Sequence, residues 1–190
     1  MVYVLREAFG YAHSEIAEIL DVTEANSTQI YRRAKQHLAT GKTRREVDEI
    51  AARKVVEEFL TAALSGDTDA LVRMLADDAI SIGDGGGIVF SLPEPVTGAL
   101  RVARFLRRLF EPTEGKRAMI GGRADIFAGL ANGVPAVVIT VGERIVGIIT
   151  LEVTTDGIAS LHTQGNPAKL ARATRQWTAS EHAEPLTQGW

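Results

Sequence analysis

Residues 11–38 constrain this chain more than any other stretch, because they read as two helices with almost no chain between them. In the first, Ile16, Ala17, Ile19 and Leu20 form an apolar face. In the second, Ala25, Ile30, Ala34 and Leu38 are the expected buried positions. Asp21-Val22-Thr23 is the turn, Ala17 is small where the helices must cross, and the Thr23 hydroxyl can cap the second helix. Two structures fit this pattern. One is a helix-turn-helix whose second helix enters the major groove, and the other is an ordinary helical hairpin with a charged outer face. On the first reading Asn26 and Gln29 face base edges, and Arg32, Arg33 and Lys35 reach phosphates.

A family resemblance separates the two. Val4-Leu5-Arg6-Glu7-Ala8-Phe9-Gly10, Glu15-Ile16-Ala17-Glu18, Thr23-Glu24-Ala25-Asn26 and Arg33-Ala34-Lys35-Gln36-His37-Leu38 resemble region four of extracytoplasmic-function sigma factors. The resemblance implies binding to the −35 promoter element and to the polymerase flap. It assigns the DNA-facing role to Thr23, Glu24, Asn26, Ser27, Gln29, Arg32, Arg33 and Lys35. Three positions depart from the family. Asp21 replaces the usual turn Gly, and Asp tolerates the left-handed region less well than Gly. Ser27 and Thr28 replace an apolar residue and an Arg, which sets a hydroxyl at a buried position and removes a phosphate or base contact. Ala12 replaces the Ser cap of the first helix, at a cost of about 1 kcal/mol. An N-terminal helix is expected over residues 2–9, with Val2, Leu5 and Phe9 inward. Met1 falls just inside the three-helix unit, and the promoter-melting region two of the family has no counterpart in the sequence. The chain is therefore expected to be a truncated product, a fragment or a degenerate relative, unable to open a promoter by itself.

Charge is divided unevenly. Residues 1–47 carry seven Lys/Arg against six Asp/Glu, and residues 48–190 carry fourteen against eighteen, so a less acidic head precedes an acidic body. The overall net charge of −3 argues against non-specific nucleic-acid binding by the whole chain. With no cysteine, disulfides, thiolate metal sites and cysteine nucleophiles are excluded. The four histidines are scattered without ligand spacing, so neither metal nor cofactor is expected. No apolar run approaches the ~18 residues of a membrane span, and Arg6, Glu7 and His13 interrupt any signal-like segment. A cytoplasmic protein is expected.

The expected domains are a helical head over residues 1–40, a polar linker over 41–47, a body over 48–165 and a C-terminal helix and tail over 166–190. The body opens with a helix over 48–64, with Ile50, Val55, Phe59, Leu60 and Ala63 inward, ended by Gly66-Asp67. A second helix follows over 68–77, then a strand over 79–82, a turn at Asp84-Gly85-Gly86-Gly87 and a strand at Ile88-Val89-Phe90 that Pro93 and Pro95 break. Residues 99–110 read as an amphipathic helix with Val102, Phe105, Leu106 and Leu109 inward and Arg101, Arg104, Arg107 and Arg108 outward. Strands are expected over 118–120, 124–130, 136–141, 145–153 and 158–164, with hairpin signals at Asn132-Gly133, Gly142-Glu143 and Asp156-Gly157. Helices followed by an antiparallel meander make the class α+β.

Val56, Phe59, Ala62 and Gly66-Asp67, followed by Leu75-Ala76-Asp77-Asp78-Ala79, resemble the SnoaL-like branch of the nuclear transport factor two (NTF2) superfamily. The resemblance implies a curved antiparallel sheet wrapped around a helix as a cone. Head and body together resemble an extracytoplasmic-function group whose C-terminal extension replaces an anti-sigma factor. That group carries Asp-Gly-Gly-Gly-Lys and Asn-Pro-Asp-Lys-Leu signatures, present here as Asp84-Gly85-Gly86-Gly87-Ile88 and Asn166-Pro167-Ala168-Lys169-Leu170, each without one charge. It implies that these segments dock on the sigma core, with promoter DNA and RNA polymerase core as partners.

Asp84-Gly85-Gly86-Gly87 is not a phosphate loop, since a strand and not a helix follows it. Asn166 and Pro167 also suit a plain helix start. The alternative function is a SnoaL-like enzyme with a vestigial head, using Arg123, Asp125, Glu152 and His162 in a pocket. A small ligand in the cone and a homodimer through the sheet complete the expected partners. Trp177 is expected to pack at the cone's open end, and residues 178–190 to be loosely ordered.

Overall fold

The computed structural model describes residues 1–39, 49–87 and 94–190. The chain divides into two compact units, Met1–Arg45 and Glu46–Trp190. The linker expected over 41–47, the strand at Ile88-Val89-Phe90, Pro93 and the side chain of Leu38 lie outside the described residues.

The first unit is three helices, α1 (Val2–Glu7), α2 (His13–Leu20) and α3 (Glu24–Ala39). Its buried apolar residues are Val2, Ile16 and Ala17. The inward stripe of α3 differs from the expected one. Ala25 and Ile30 are exposed, and the inward positions are Ser27, Tyr31 and Ala34. Phe9 and Ile19 are exposed as well. The reason is aromatic packing. Tyr31 stacks on Tyr3 at 5.8 Å and meets the His13 ring edge-on at 5.3 Å, which fixes the rotation of α3.

The second unit starts with α4 (Glu49–Ser65) and α5 (Thr68–Met74). Gly66 has φ +71 between them, and the Asp67 carboxylate accepts the Ala70 amide at 2.9 Å to cap α5. Ile50 is exposed, not inward, and Ala52, Val56, Phe59, Leu60 and Ala63 are the buried face of α4. β1 (Leu75–Asp84) begins earlier than expected, because the α5–β1 junction lies against Gly157: a Cβ there would come 2.7 Å from the Met74 carbonyl oxygen. β2 (Val96–Thr97) pairs with β1, and α6 (Ala99–Phe110) follows with its four arginines outward. Residues 118–120, expected as a strand, belong instead to a helix, α7 (Glu114–Ile120). Its Thr113 cap accepts the Lys116 amide at 3.3 Å, and Gly121 ends it at φ +91.

β3 (Asp125–Ala131), β4 (Val134–Val141), β5 (Arg144–Thr154) and β6 (Gly157–Gln164) form the expected antiparallel meander. Asn132 and Gly133 both take positive φ in the first hairpin, as a type I′ turn requires. The sheet order is β2-β1-β6-β5-β4-β3, and β1 pairs with β6 in parallel, so the sheet is mixed and not purely antiparallel.

Alternation along the strands separates two faces. Ile126, Val137, Ile149, Leu151 and Leu161 pack inward against Phe59, Leu60, Leu106 and Phe110 of α4 and α6. Phe127, Val138 and Ile145 face the other way, where α8 (Pro167–Thr178) covers them with Leu170, Ala173 and Trp177. Trp177 therefore packs on the outer face, 5.0 Å from the Phe127 ring and stacked on His182 at 4.1 Å, and not at the cone's end. The tail is fixed rather than loose. Ala124 and Trp190 exchange backbone hydrogen bonds at 3.1 and 2.8 Å, Thr187 bridges to Ile126, and the Trp190 indole N–H donates to the Phe110 carbonyl at 2.9 Å.

Candidate nucleic-acid interface and signature latch

The head holds its second helix by local chemistry. Asp21 ends α2 in the left-handed region at φ 53 and ψ 49, and the Val22 amide donates to the Ala17 carbonyl at 3.0 Å. Thr23 Oγ1 accepts the Asn26 amide at 3.2 Å. Ala12 has no side-chain acceptor, so half a capping box forms: the Glu15 carboxylate takes the Ala12 amide at 2.6 Å. Ser27, assigned above to the DNA-facing set, is fully buried and shares a hydrogen bond with His13 Nδ1 at 3.1 Å. It joins α3 to α2 and is withdrawn from the interface. Thr28 turns back onto the Glu24 carbonyl at 3.0 Å.

The outward residues are different. Glu24, Asn26, Gln29, Arg32, Arg33 and Lys35 are exposed. Asn26, Gln29 and Arg33 follow an i, i+3, i+7 spacing and so share one face of α3. No side-chain hydrogen bond or ion pair holds Asn26, Gln29, Arg32 or Arg33 among the described residues. Lys35 donates to the Tyr31 hydroxyl at 3.4 Å, and Tyr31 in turn donates to Glu7. The Tyr31 hydroxyl, with Glu7 behind it, raises the Lys35 pKa. The result is two amides and two guanidiniums presented without internal partners, beside an ammonium that stays charged.

In the body the two glycine and asparagine signatures come together. β1 and β6 run side by side, and Asp84 pairs with Gln164 at their ends. The Asp84 carboxylate accepts from Lys169 Nζ at 2.7 Å, from the Gly86 amide at 2.9 Å and from Gln164 Nε2 at 3.3 Å. The Gly165 amide donates to the Asp84 carbonyl at 2.7 Å. Lys169 first, then the Gly86 amide, lower the Asp84 pKa from 3.8 to about 2. Asn166 caps α8 by accepting the Ala168 amide at 3.1 Å. Gly86, at φ +61, lies against the Asn166 side chain. Gly85 is buried, Gly87 and Pro167 are exposed, and Leu170 of α8 is buried against the sheet. Sequence reasoning placed both signatures on a surface but missed that they form one latch.

The four pocket candidates are not brought together. Asp125 accepts the Gly189 amide at 2.9 Å and Arg123 is exposed. Glu152 accepts the Ser160 hydroxyl at 2.8 Å, and His162 Nε2 lies 3.3 Å from the same oxygen. Strand alternation puts Glu152 and His162 on the outer face, opposite Ile149 and Leu151. The inner cavity, about 390 Å³, has other walls, chiefly Leu109, Phe110, Ile126, Ile139 and Ile149, with Asp84, Lys116, Thr163 and Trp190. Lys116 Nζ donates to the Arg108 and Glu111 carbonyls, and burial lowers its pKa. No group of His, Asp or Glu able to hold a metal occurs among the described residues, and none of the described helices is long and apolar enough to cross a membrane.

Residues 1–38 match the family described as Sigma-70, region 4. The extracytoplasmic-function RNA polymerase sigma factor SigJ of Mycobacterium tuberculosis is 29% identical over 112 residues, 58% of this chain and 36% of SigJ. The probable sigma factor SigI of the same organism is 26% identical over 171 residues, 90% of this chain and 54% of SigI. The crystal structure of SigJ superposes with a TM-score of 0.53 at 26% identity, covering 88% of this chain and 58% of that one. The chain thus spans about half, or less, of the length of the curated relatives it matches. Its head matches the sigma-70 region 4 family, and the chain as a whole is similar to extracytoplasmic-function sigma factors, with an α+β body after that head.

Proposed function

We propose that this chain acts in transcription initiation in the cytoplasm, with α3 reading the −35 promoter element and the head engaging RNA polymerase core. The carrying observation is the unpartnered row on α3, Asn26 and Gln29 with Arg32 and Arg33, which supplies base-edge and phosphate contacts on one exposed surface. The exposed Phe9, Ile19 and Ile30 give the head apolar surface for a protein partner. The body tunes this activity by docking on the head through the accessible part of the latch, Asp84, Gly86 and Gly87 on one side and Asn166, Pro167 and Lys169 on the other, whereas Gly85 and Leu170 are buried within the body and take no part. A small ligand in the cone shifts that docking. Two copies would pair through the outer sheet surface near Glu152 and His162, which α8 leaves exposed. An enzymatic role finds less support, because Glu152 and His162 do not face the cavity.

The test is promoter binding by fluorescence anisotropy, for the whole chain and after removal of residues 48–190. Binding that appears or strengthens on removal supports the docked, restrained head. A head that stays helical and binds no promoter DNA in either form overturns the reading.

A further inference from the structure

Resting on the reading of α3 as a DNA reader for its choice of partner, we propose that the body carries a second nucleic-acid contact: Arg101, Arg104 and Arg108 of α6 hold the phosphates of duplex DNA without reading its sequence. The body has more acid than base overall, so its background charge does not explain a basic stripe. The three residues recur at i, i+3 and i+7 and share one face of the helix. All are exposed, and none makes a side-chain hydrogen bond or an ion pair among the described residues. Arg107, also exposed, lies to one side with its stem over Gly66, where a Cβ would come 3.7 Å from Arg107 Cγ. Local helix chemistry accounts for only part of this. Arg107 and Arg108 suit the last turn, whose carbonyl end favours cations. Arg101 lies in the first turn, which has no acidic residue and whose amide end disfavours a cation. Arg101–Arg104 and Arg104–Arg108 are also like-charged neighbours at i, i+3 and i, i+4, a spacing that weakens a helix. An anion laid along the stripe relieves all three.

Duplex DNA is the anion that fits. The helix rise sets Arg101 and Arg108 about 10 Å apart along the axis, and one DNA strand carries a phosphate every ~3.4 Å of axis. The stripe is therefore as long as about three phosphates. Its cations are all arginines, whose planar fork takes phosphate oxygens two at a time. The same fork takes a carboxylate, so an acidic protein is the competing partner. The tether favours DNA: α3 ends at Ala39 and α4 begins at Glu49, so a duplex held by the head is presented to the body at high effective concentration. The contact adds affinity and salt sensitivity, not sequence preference.

The test is fluorescence anisotropy of the full chain on a scrambled duplex of ~30 base pairs, over a salt series starting near ~50 mM. Deleting the body would remove the stripe together with the docking residues, so substitutions are used instead. Arg101→Gln, Arg104→Gln and Arg108→Gln together are expected to weaken binding at low salt by about tenfold or more. They should also cut the slope of log affinity against log salt by about 2–3. The three Arg→Lys changes at the same sites should keep most of that slope. Arg123→Gln, Arg172→Gln and Arg175→Gln together, at exposed sites outside α6, change the net charge equally and should leave the slope within about 1 of the parent. The melting temperature of the α6 Gln variant should not fall, because like charges are removed from one helix face. An unchanged slope in that variant, an equal loss in the control, a lowered melting temperature, or no duplex binding by the folded parent at low salt each overturn the proposal. Loss of polyglutamate binding with duplex binding intact does so too, and assigns the stripe to an acidic protein. A parent that holds selected promoter and scrambled duplexes equally, yet still depends on the stripe, overturns the reading of α3 alone.

Discussion

A Cβ added to Gly86 would lie 2.5 Å from Cγ of Asn166, closer than any ordinary carbon contact. Gly86 also has φ +61, whereas its neighbour Gly87, at φ +74, has open space around it. Gly86→Ala therefore carries a steric penalty on top of the backbone one. It should lower stability by about 2–3 kcal/mol, against about 1 kcal/mol for Gly87→Ala, in urea denaturation followed by tryptophan fluorescence.

The Asp84–Lys169 pair gives a pH signature. The folded Asp84 pKa is depressed from 3.8 to about 2, so its contribution is complete above the ordinary value and is lost as pH falls from there toward 2. Lys169→Met should have a lower urea midpoint than the parent at neutral pH, and the two should converge in that acid window. Both side chains are partly exposed, so the gap should also narrow in high salt.

Ser27 and Arg33 should separate folding from binding. Ser27→Ala removes the bond to His13 in a buried site and should destabilise the head by about 1 kcal/mol in thermal unfolding. Arg33→Ala should leave the melting profile in place. It should weaken promoter binding and reduce the slope of log affinity against log salt by about 1, read by anisotropy over a salt series.

Trp190 ties the end of the chain to α6 and to Ala124 beside β3. Trp190→Ala should cost about 2–3 kcal/mol, less than for a fully buried tryptophan, measured by urea denaturation.

Local chemistry was the part of this protein most legible in its sequence. The Thr23 cap, the left-handed Asp21 and the buried hydroxyl of Ser27 all follow from one turn and its neighbours. The four arginines of α6 face outward because a helix with that spacing has one apolar side. Rotation of α3 was less legible, since three rings, Tyr3, His13 and Tyr31, decide it across separate helices. The short apolar run at 118–120 suited a strand or a helix. The deciding signals, Thr113 before it and Gly121 after it, are capping residues that the apolar pattern outweighed.

The candidate site was legible as motifs but not as an assembly. Period-two spacing put Arg123 and Asp125 on one side of a strand, yet it does not say which side faces the cavity. Phe127 shows that this side turns outward, to α8 and Trp177. No local signal says that Asp84 meets Gln164 and Lys169, because strand partners are chosen by the whole sheet.

The parallel course of β1 and β6 has a consequence for how the protein assembles. Parallel neighbours finish at the same end, so the loops leaving them emerge together however much chain intervenes. Here that chain includes β2, two helices and the three strands β3 to β5, so the register joining Asp84 to Gln164 closes a loop of long sequence separation. The ion pair at that junction is therefore expected to form late, and its appearance during refolding, compared with that of the β3–β4 hairpin, checks this.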